Sequence, residues 1–326
     1  MNNIAVIGCG QLGSRHLQSL ANLNLGATIY VHDVSEDSLR IAKSRYDEIE
    51  SASSIDCVYT SDLADLPNQL DLIIIASNSL QRLNLLQAVT AKRNVRYMIL
   101  EKVLFPRLED YEIAQMLLLK RGIRCWVNCN KASNNTFFSS MNAKFDSKSP
   151  VHIRIEGREW GLGCNAIHFI ELLSFLTGQA AQKIDSSDLS PVIHESKRTG
   201  YIEFHGELKI SSGRHKLELN SLENGPGPLV LVLDSEIMRA ELSFGERLTG
   251  KVERRDNDWV EEYIDTVIKK QSDLTSALVE DILLREKCVL PEYEKSKINH
   301  LLLLESLIKH LDRFHYPHRV GECLIT

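Results

Sequence analysis

A glycine pattern directly after the first apolar run constrains this chain more than any other feature. Residues 4–7 form a continuous apolar run, residues 8–13 read Gly-Cys-Gly-Gln-Leu-Gly, and a helical pattern follows to about Leu23. In such a strand–loop–helix unit the first glycine permits a tight turn, the second lets the backbone approach a pyrophosphate, and the third lets the helix pack near the strand. Gly8, Gly10 and Gly13 therefore predict a dinucleotide site.

The glycine loop and the end of the second strand together indicate which dinucleotide binds. The phosphates would lie at the positive end of the first helix, against the backbone of Gln11 and Leu12. Asp33 ends the second strand 20 residues after Gly13, where a carboxylate can accept both ribose hydroxyls. No Arg follows at 34 or 35, so NAD is favoured over NADP. The alternative is that the glycines only form a turn and that Asp33 caps the helix starting near Ser35.

Short apolar runs alternate with longer amphipathic runs through the first 128 residues. Strands separated by helices of ten or more residues imply right-handed crossovers and a parallel sheet covered on both faces. We therefore predict an α/β fold that begins with a doubly wound Rossmann domain over 1–128. The predicted strands are 4–7, 27–32, 57–59, 72–76, 95–101 and 123–128, and the predicted helices run to about Leu23 and over 36–45, 81–92 and 108–121.

The pattern changes after about residue 130. Residues 151–159 alternate, a helix is predicted over 165–177, and extended runs follow at 201–210, 216–220, 229–233 and 236–242, with Gly, Asn and Pro at 224–228. That spacing indicates an antiparallel sheet. Helical patterns at 258–287 and 294–313 lie on either side of Pro291. We predict an α+β domain over 129–326, with a mostly antiparallel sheet that is open on one face and with final helices that can pack back on the first domain.

Composition argues against several classes of function. The chain has 326 residues, of which 43% are hydrophobic and 25% charged, and its net charge of -6 disfavours nucleic-acid partners, which usually meet a basic face. The longest apolar stretches fall far short of the ~18 residues of a membrane span, and no signal peptide is apparent. Seven cysteines without regular spacing fit a reducing compartment. We expect a cytoplasmic protein without nucleic-acid or membrane partners.

Several segments together resemble the Gfo/Idh/MocA family (glucose-fructose oxidoreductase / inositol dehydrogenase), over nearly the whole chain. They are short individually, but their order and spacing are fairly specific. The segments are the glycine loop extended to His16, Glu101-Lys102-Val103 (the family's Glu-Lys-Pro), Asn130-Lys131 (its Asn-Arg at the domain crossover), His168 to Gly178 (its His-x-Ile-Asp-Leu-x-x-x-Leu-x-Gly helix) and Pro291-Glu292-Tyr293-Glu294 before the last helix.

The resemblance implies a nicotinamide-dependent oxidoreductase acting on sugars, cyclitols or their derivatives. Lys102 and His168 would face the nicotinamide from the two domains, with Ser77, Asn78 and Glu101 near the cofactor. Lys102 also ends a central parallel strand, where open α/β sheets bind ligands. Beside an oxidised nicotinamide, desolvation and like charge should lower its pKa and fit it to take a proton from a hydroxyl. The alternatives are an ion pair of Lys102 with Glu101 and a hydrogen-bonded core role for His168.

The substrate side departs from the family pattern at one position. Cys164 stands where the family commonly has Asp four residues before His168, which puts the usual sugar substrate or catalysis itself in question. The neighbouring Asn165 is a candidate for the missing polar contact, and Asn130 is a further substrate-binding candidate. Trp160, just before this helix, either holds a sugar ring or packs on the sheet.

Two further departures lie near the cofactor. Val103 replaces the family's proline after Lys102, which is expected to change the backbone and to lose a cis peptide bond. Ser77-Asn78 replaces the usual Thr-Pro after the fourth strand. No metal is expected, because His168 and Glu171 share a helix face without further converging ligands.

Three functions follow from these observations. The leading hypothesis is an NAD-dependent sugar dehydrogenase or reductase, with a surface-glycan precursor as one form of substrate. The second is a regulatory protein that senses NAD without catalysis, which Cys164 favours and the retained Lys102 and His168 oppose. The third is a transferase or hydrolase with transient internal redox. Relatives commonly bury the open sheet face against a second subunit, and the apolar run 229–233 (LVLVL) predicts a homodimer or homotetramer through that face.

Overall fold

Two compact units make up the chain in the computed structural model, which describes residues 1–49, 55–223, 228–255 and 258–326. The first unit comprises 1–105, 109–128 and 269–294, and the second comprises 106–108, 129–268 and 295–326. One boundary between the units lies after residue 128, where the sequence pattern also places it. The first unit in addition includes residues 269–294, which come much later in the chain. The predicted turn at 224–228 falls almost wholly on residues 224–227, which lie outside the described residues.

The first unit is built on a parallel sheet of six strands in the order β3-β2-β1-β4-β5-β6. Its central strands read as apolar runs because helices cover both faces: residues 4–7 and 72–75 have no exposed surface. The prediction of a doubly wound Rossmann sheet is confirmed. The strands are β1 (Asn2–Ile7), β2 (Ala27–His32), β3 (Asp56–Thr60), β4 (Gln69–Ile75), β5 (Asn94–Leu100) and β6 (Arg124–Val127).

Helices from two distant parts of the chain cover this sheet. The four that connect its strands are α1 (Gly13–Leu20), α2 (Glu36–Asp47), α3 (Ser79–Lys92) and α4 (Leu108–Arg121), and a later helix, α7 (Gln271–Arg285), joins the same unit. Leu274, Leu278 and Ile282 of α7 share a buried core with Leu17 and Leu20 of α1. The helix that carries the glycine loop is therefore packed partly by residues far along the sequence.

The second unit is built on an eight-stranded sheet in the order β16-β15-β14-β13-β7-β12-β11-β8. β7 and β12 are parallel, and the other neighbouring strands pair antiparallel, so the predicted mostly antiparallel sheet is confirmed. Its elements are α5 (Thr136–Ser139), β7 (Val151–Arg158), α6 (Leu162–Thr177), β8 (Lys183–Leu189), β9 (His194–Glu195), β10 (Ile202–Glu203), β11 (Gly206–Ser212), β12 (His215–Leu222), β13 (Leu229–Ser235), β14 (Met238–Phe244), β15 (Arg247–Arg255), β16 (Trp259–Val267) and α8 (Tyr293–Arg313).

The predicted helix over 258–287 is wrong in its first part, which is the edge strand β16. The charged residues that looked helical pair across strands: Lys251 with Glu261 at 2.7 Å, and Arg254 with Glu262 at 2.5 Å. Strands β8 and β15 were not predicted, because polar residues on both of their faces hide the period-two pattern near the sheet margins. Among the described residues, no helix is both long and apolar enough to cross a membrane.

The two faces of the eight-stranded sheet differ in how apolar they are. This difference weakens the argument that the apolar run 229–233 forms an oligomer interface. Leu231 and Leu233 of the LVLVL run point into the core, with 0% and 1% of their surface exposed. Val230 and Val232 lie on the opposite face and are half-buried. That face also carries ion pairs such as Arg154–Glu218 at 3.6 Å. The run is therefore mostly core, and the homodimer or homotetramer stays a prediction.

Helix α6 packs against α8 through a buried carboxyl group. Ser296 of α8 donates a hydrogen bond of 2.6 Å to Glu171 of α6. Burial raises the pKa of Glu171 to about 7, although hydrogen bonds from Ser296 and Asn299 act in the opposite direction. A pKa higher in the folded than in the unfolded chain contributes stability below the unfolded value of 4.5, and that contribution is lost as pH rises through about 7.

We expect Glu171→Gln to stabilise the protein at pH 8 by about 1–3 kcal/mol, since each pKa unit corresponds to about 1.4 kcal/mol. The gain should shrink as pH falls and vanish below about pH 5. Urea unfolding of both proteins at pH 5, 6, 7 and 8 measures this difference. Glu305→Gln, at an exposed position of α8, is the matched control and should change nothing. A stability difference between the two proteins that stays constant with pH would contradict the raised pKa of Glu171.

Candidate functional site

The glycine loop after β1 is shaped by contacts that exclude side chains at two of its positions. Gly8 has a φ of +87°, and a Cβ there would lie 2.8 Å from the backbone nitrogen of Ser77. A Cβ on Gly13 would lie 1.8 Å from the carbonyl oxygen of Gly8. A Cβ on Gly10, in contrast, would meet nothing within 4 Å. Gly8 and Gly13 are therefore required by packing within the protein, whereas Gly10 leaves open space above the loop.

That open space fits the pyrophosphate of a dinucleotide. Helix α1 begins directly after Gln11 and Leu12, and the backbone N–H groups at the amino terminus of a helix carry partial positive charge. They favour an anion, as does the helix dipole. Arg45 of α2 donates to Gln11 Oε1 at 2.8 Å and to Ser14 Oγ at 2.5 Å, which fixes the outer side of the loop. The predicted loop residues Gly8, Gly10, Gln11, Leu12 and Gly13 thus form one cradle.

Asp33 is tied to this loop and does not cap the next helix. Its Oδ2 accepts from the backbone N–H of Cys9 at 2.6 Å, and its Oδ1 accepts from that of Ser35 at 2.9 Å. Helix α2 is capped by Ser35 Oγ, which accepts from Ser38 N–H, so the alternative of Asp33 as the cap is wrong. A carboxylate has about four lone-pair sites, which leaves capacity for ribose hydroxyls. Val34, 83% exposed, is an apolar surface beside it that the sequence analysis missed.

The loop after β4 contributes its backbone to the same edge of the sheet. Ser77 lies against Gly8, as the contact above shows, and the Asn78 side chain accepts from Gln81 N–H at 3.1 Å and so caps α3. Arg82 is buried and donates to the carbonyl oxygens of Ser77, Val103 and Leu104. Arg82, whose role the sequence did not reveal, therefore ties the loops after β4 and β5 together. Because β1 and β4 are neighbours in the sheet, this edge is the topological switch point.

Glu101 is the centre of a buried polar network that the sequence analysis also missed. Only 2% of its surface is exposed, His16 Nε2 lies 2.8 Å from its Oε1, and Asn128 donates to the same oxygen. His16 Nδ1 in turn lies 2.9 Å from Thr275 Oγ1 of α7, which Gln271 also contacts at 2.9 Å. The network joins the glycine-loop helix, the end of β5 and α7.

The network fixes the charge of Glu101. Burial by itself would raise its pKa, but the hydrogen bond and charge of His16, the hydrogen bond from Asn128 and the charge of Arg82 outweigh it and lower the pKa. Glu101 was predicted to contact the cofactor or to pair with Lys102. Its carboxylate lies against His16, where it anchors the strand end that precedes Lys102, and its contact with the cofactor stays a prediction.

Lys102 follows β5 at the carboxyl edge of the sheet and is half-buried. The peptide bond between Lys102 and Val103 is cis. The expectation that valine in place of proline would lose a cis bond is therefore wrong, since the cis form is present without proline.

In the second unit, the predicted substrate residues converge on the start of α6. Cys164, Asn165 and His168 are the half-buried positions of its first two turns, among fully buried neighbours. Asn165 donates to the carbonyl of Trp160 at 2.7 Å. Trp160 donates through Nε1 to Asn220 O at 2.9 Å. Its half-buried side chain is thus packed in the fold, and its predicted role in holding a sugar ring stays a prediction.

Asn130 lies in the same unit, in a short 3₁₀ turn packed beside α6. Its carbonyl oxygen accepts from the N–H groups of Ser133 and Asn134 at 3.0 and 2.8 Å. The neighbouring Lys131 lies with its ammonium 5.4 Å from the ring centre of Phe169 of α6. These contacts bring Asn130 to the helix that carries His168.

An acid that the sequence analysis missed lies at the amino terminus of α6. Glu203 of β10 accepts from the N–H groups of Gly163 at 2.7 Å and Cys164 at 3.2 Å. Helix α6 has Gly161 at its N-cap, with no side chain to serve as a cap. Glu203 therefore places a carboxylate at the same helix end as Cys164, against the backbone N–H groups. In the described part of the chain, no three His, Cys, Asp or Glu side chains converge to hold a metal ion.

The comparisons agree with the geometry of the first unit. Residues 2–129 match the family described as an oxidoreductase family with an NAD-binding Rossmann fold. This segment is therefore similar to the NAD-binding domain of the Gfo/Idh/MocA oxidoreductases. A search of curated proteins finds no sequence match.

Solved structures extend the likeness of fold to both units. UDP-N-acetylglucosamine 3-dehydrogenase GnnA from Acidithiobacillus ferrooxidans is similar with a TM-score of 0.71 and 14% identity, covering 97% of this chain and 99% of its own. An oxidoreductase from Agrobacterium radiobacter, in complex with NAD+, L-tartaric acid and magnesium, gives a TM-score of 0.65 at 16% identity, covering 94% and 96%. An NAD-binding oxidoreductase from Klebsiella pneumoniae gives 0.66 at 13%, covering 96% and 97%. At these identities the likeness establishes the fold.

Proposed function

We propose that the chain is an NAD-dependent oxidoreductase that transfers hydride between nicotinamide and a hydroxyl-bearing or keto carbon of a sugar or sugar derivative. The observation that carries the proposal is the cradle formed by the glycine loop, with Asp33 hydrogen-bonded to Cys9 N–H, at the switch point of a parallel sheet. NAD, when bound, supplies the hydride acceptor or donor. The protein supplies the binding, the orientation and the proton transfer.

Lys102 is the proposed acid/base group and His168 its assistant. Lys102 ends the strand beside the switch point, and Glu101 is held by His16 directly before it. In the oxidative direction Lys102 takes the proton of the substrate hydroxyl, and in the reductive direction it returns a proton to the carbonyl oxygen. His168, on the accessible side of α6, orients that oxygen, since a neutral imidazole offers one donor and one acceptor.

A sugar-type substrate is supported by the residues around α6. Trp160 and Asn165 line one cavity, and His168 on α6 and Asn130 in the turn beside it are further polar groups. The dehydrogenase from Acidithiobacillus ferrooxidans, which is similar in fold, acts on a sugar nucleotide by its name. A surface-glycan precursor is one form that such a substrate can take. The alternative function, a regulatory protein that senses NAD, is favoured by Cys164 and is separated from the enzyme by Lys102→Met below.

We expect the protein to bind NADH about tenfold or more tightly than NADPH, because the Asp33 carboxylate accepts ribose hydroxyls and repels a 2′-phosphate. Titration of intrinsic and cofactor fluorescence with each nucleotide measures this ratio. Asp33→Ser should bring the two affinities to within about threefold of each other, as the repulsion is removed.

Asp37→Ser removes an exposed acid in the first turn of α2 and should leave the preference for NADH unchanged. Tighter binding of NADPH by the unaltered protein would reject NAD as the cofactor, and no binding of either nucleotide would remove the oxidoreductase proposal.

A further inference from the structure

A cavity of about 340 Å³ lies within the second unit, beside the first turn of α6. It adjoins the predicted substrate residues but extends past them to the β9–β10 ribbon and to Phe204 and His205 directly after it. The side chains that matter for its chemistry are Trp160, Cys164, Asn165, His194, Glu203 and His205. Cys164 and His168 are one helical turn apart, about 6 Å along the axis. A substrate held at His168 would therefore extend toward this cavity with its next ring.

The helix terminus at this cavity is closed to anions. The amino terminus of a helix ordinarily attracts a phosphate through its N–H groups and its dipole. Here the Glu203 carboxylate already accepts from Gly163 N–H and Cys164 N–H. A Cβ on Gly163 would lie 3.0 Å from Glu203 Oε2, which shows how closely the acid is seated. The position that a diphosphate would occupy is therefore taken by a negative charge of the protein itself.

The other charged side chains of the cavity also disfavour an anionic ligand. Among its described lining residues, Glu159, Glu195 and Glu203 are acidic, whereas Lys197 is the one lysine or arginine. Three carboxylates against one ammonium repel an anionic group and tolerate an uncharged or ammonium-bearing one.

Rings and hydrogen-bonding groups form the rest of the wall. The His194 and His205 rings meet edge to face with centroids 4.4 Å apart. Trp160 is fixed by its hydrogen bond to Asn220 O and by an edge-to-face contact with Phe169, whose ring centroid lies 5.6 Å away. Such rigid rings offer apolar faces, and each neutral imidazole adds a donor and an acceptor. Sugar rings combine apolar C–H faces with hydroxyl edges, which this wall matches.

We infer that this cavity holds a second glycosyl ring of the substrate, either uncharged or bearing an amino group, and that it does not hold a nucleotide diphosphate. The inference rests on the proposed function for the position of the reacting ring. It narrows the substrate class to an oligosaccharide or glycoside, in contrast to the sugar nucleotide named for the relative above.

Calorimetric titration of the protein saturated with NADH tests this inference. The probes are N-acetylglucosamine, the disaccharides cellobiose, chitobiose and N,N′-diacetylchitobiose, and UDP-N-acetylglucosamine. At least one disaccharide should bind about tenfold more tightly than the monosaccharide, and UDP-N-acetylglucosamine should bind no more tightly than the monosaccharide. His205→Leu should weaken the disaccharide about fivefold or more while the NADH affinity is kept.

Charge reversal at the rim gives a second readout that does not depend on His205. Glu195→Lys should improve the affinity for UDP-N-acetylglucosamine about threefold or more at low salt, because it reverses a repulsive charge. Glu305→Lys, on the exposed side of α8 and not among the lining residues, is the matched control and should change neither ligand. Thermal unfolding of each variant establishes that it is folded.

The two proposals fail in different ways. NADH binding without any disaccharide binding, or tightest binding of UDP-N-acetylglucosamine, overturns the inference and leaves the proposed function intact. Disaccharide binding that His205→Leu weakens, in a protein that binds neither dinucleotide, supports the cavity assignment and removes the proposed function.

Discussion

Lys102→Met is expected to reduce turnover by about 10³-fold while the dissociation constant for NADH stays within about twofold of the unaltered value. Proton transfer by a positioned side chain contributes about 10²–10⁴-fold to a rate, and methionine fills the same space without an ionisable group. The cradle for the cofactor lies in the glycine loop and at Asp33, so its affinity should not depend on this amine. The measurement is turnover of the first sugar found to be a substrate, with NADH affinity determined in parallel.

Lys120→Met is the matched control, since Lys120 is an exposed lysine on α4 of the same unit. It should leave both turnover and NADH affinity unchanged. If Lys102→Met retains every measurable property, including any response of a partner protein to NADH, the acid/base role is wrong and the NAD-sensing alternative gains support. Loss of NADH affinity together with turnover would mean that Lys102 binds the cofactor instead of moving a proton.

Gly10→Ala is expected to weaken NADH binding by about 100-fold without lowering the stability of the protein. A Cβ at this position meets nothing within 4 Å, so the protein itself accommodates the methyl group. The same methyl group would occupy the space in which the pyrophosphate approaches the backbone. Fluorescence titration measures the affinity, and the urea midpoint measured without nucleotide shows that the fold is kept.

Gly26→Ala serves as the control for this substitution. Gly26 is exposed before β2, and a Cβ there also meets nothing within 4 Å, so neither affinity nor stability should change. Unchanged NADH affinity in Gly10→Ala would show that the dinucleotide does not approach this part of the loop.

The parts of the fold that follow from local patterns were predictable from the sequence. The glycine loop, Asp33 and the continuous apolar strands depend on residues close together in the chain, and the parallel sheet follows from their alternation with helices. The network around Glu101 could not be predicted in this way, because His16 and Thr275 are 259 residues apart. The sequence showed one member of the network, His16 at the end of the extended glycine motif, but it did not show that His16 contacts Thr275.

The second unit was harder to predict because its strands carry charge on both faces. Glu261 and Glu262 of β16 favour a helix in isolation, and only the neighbouring strand with Lys251 and Arg254 reveals their pairing. Glu203 was missed for a similar reason. It lies 39 residues after Cys164, from whose N–H it accepts a hydrogen bond, so the sequence showed Cys164 at the helix start but not the acid that packs against it.

Helix α7 belongs to the first unit but lies late in the chain, and this affects how that unit folds during synthesis. On the ribosome, the glycine-loop helix leaves the exit tunnel long before Gln271–Arg285 is synthesised. Until then, Leu17 and Leu20 lack their apolar neighbours Leu274 and Leu278, and His16 lacks Thr275. Residues 1–128 therefore form an incomplete intermediate with exposed apolar surface, of the kind that chaperones bind. The dinucleotide fold is completed only after most of the second unit has been translated.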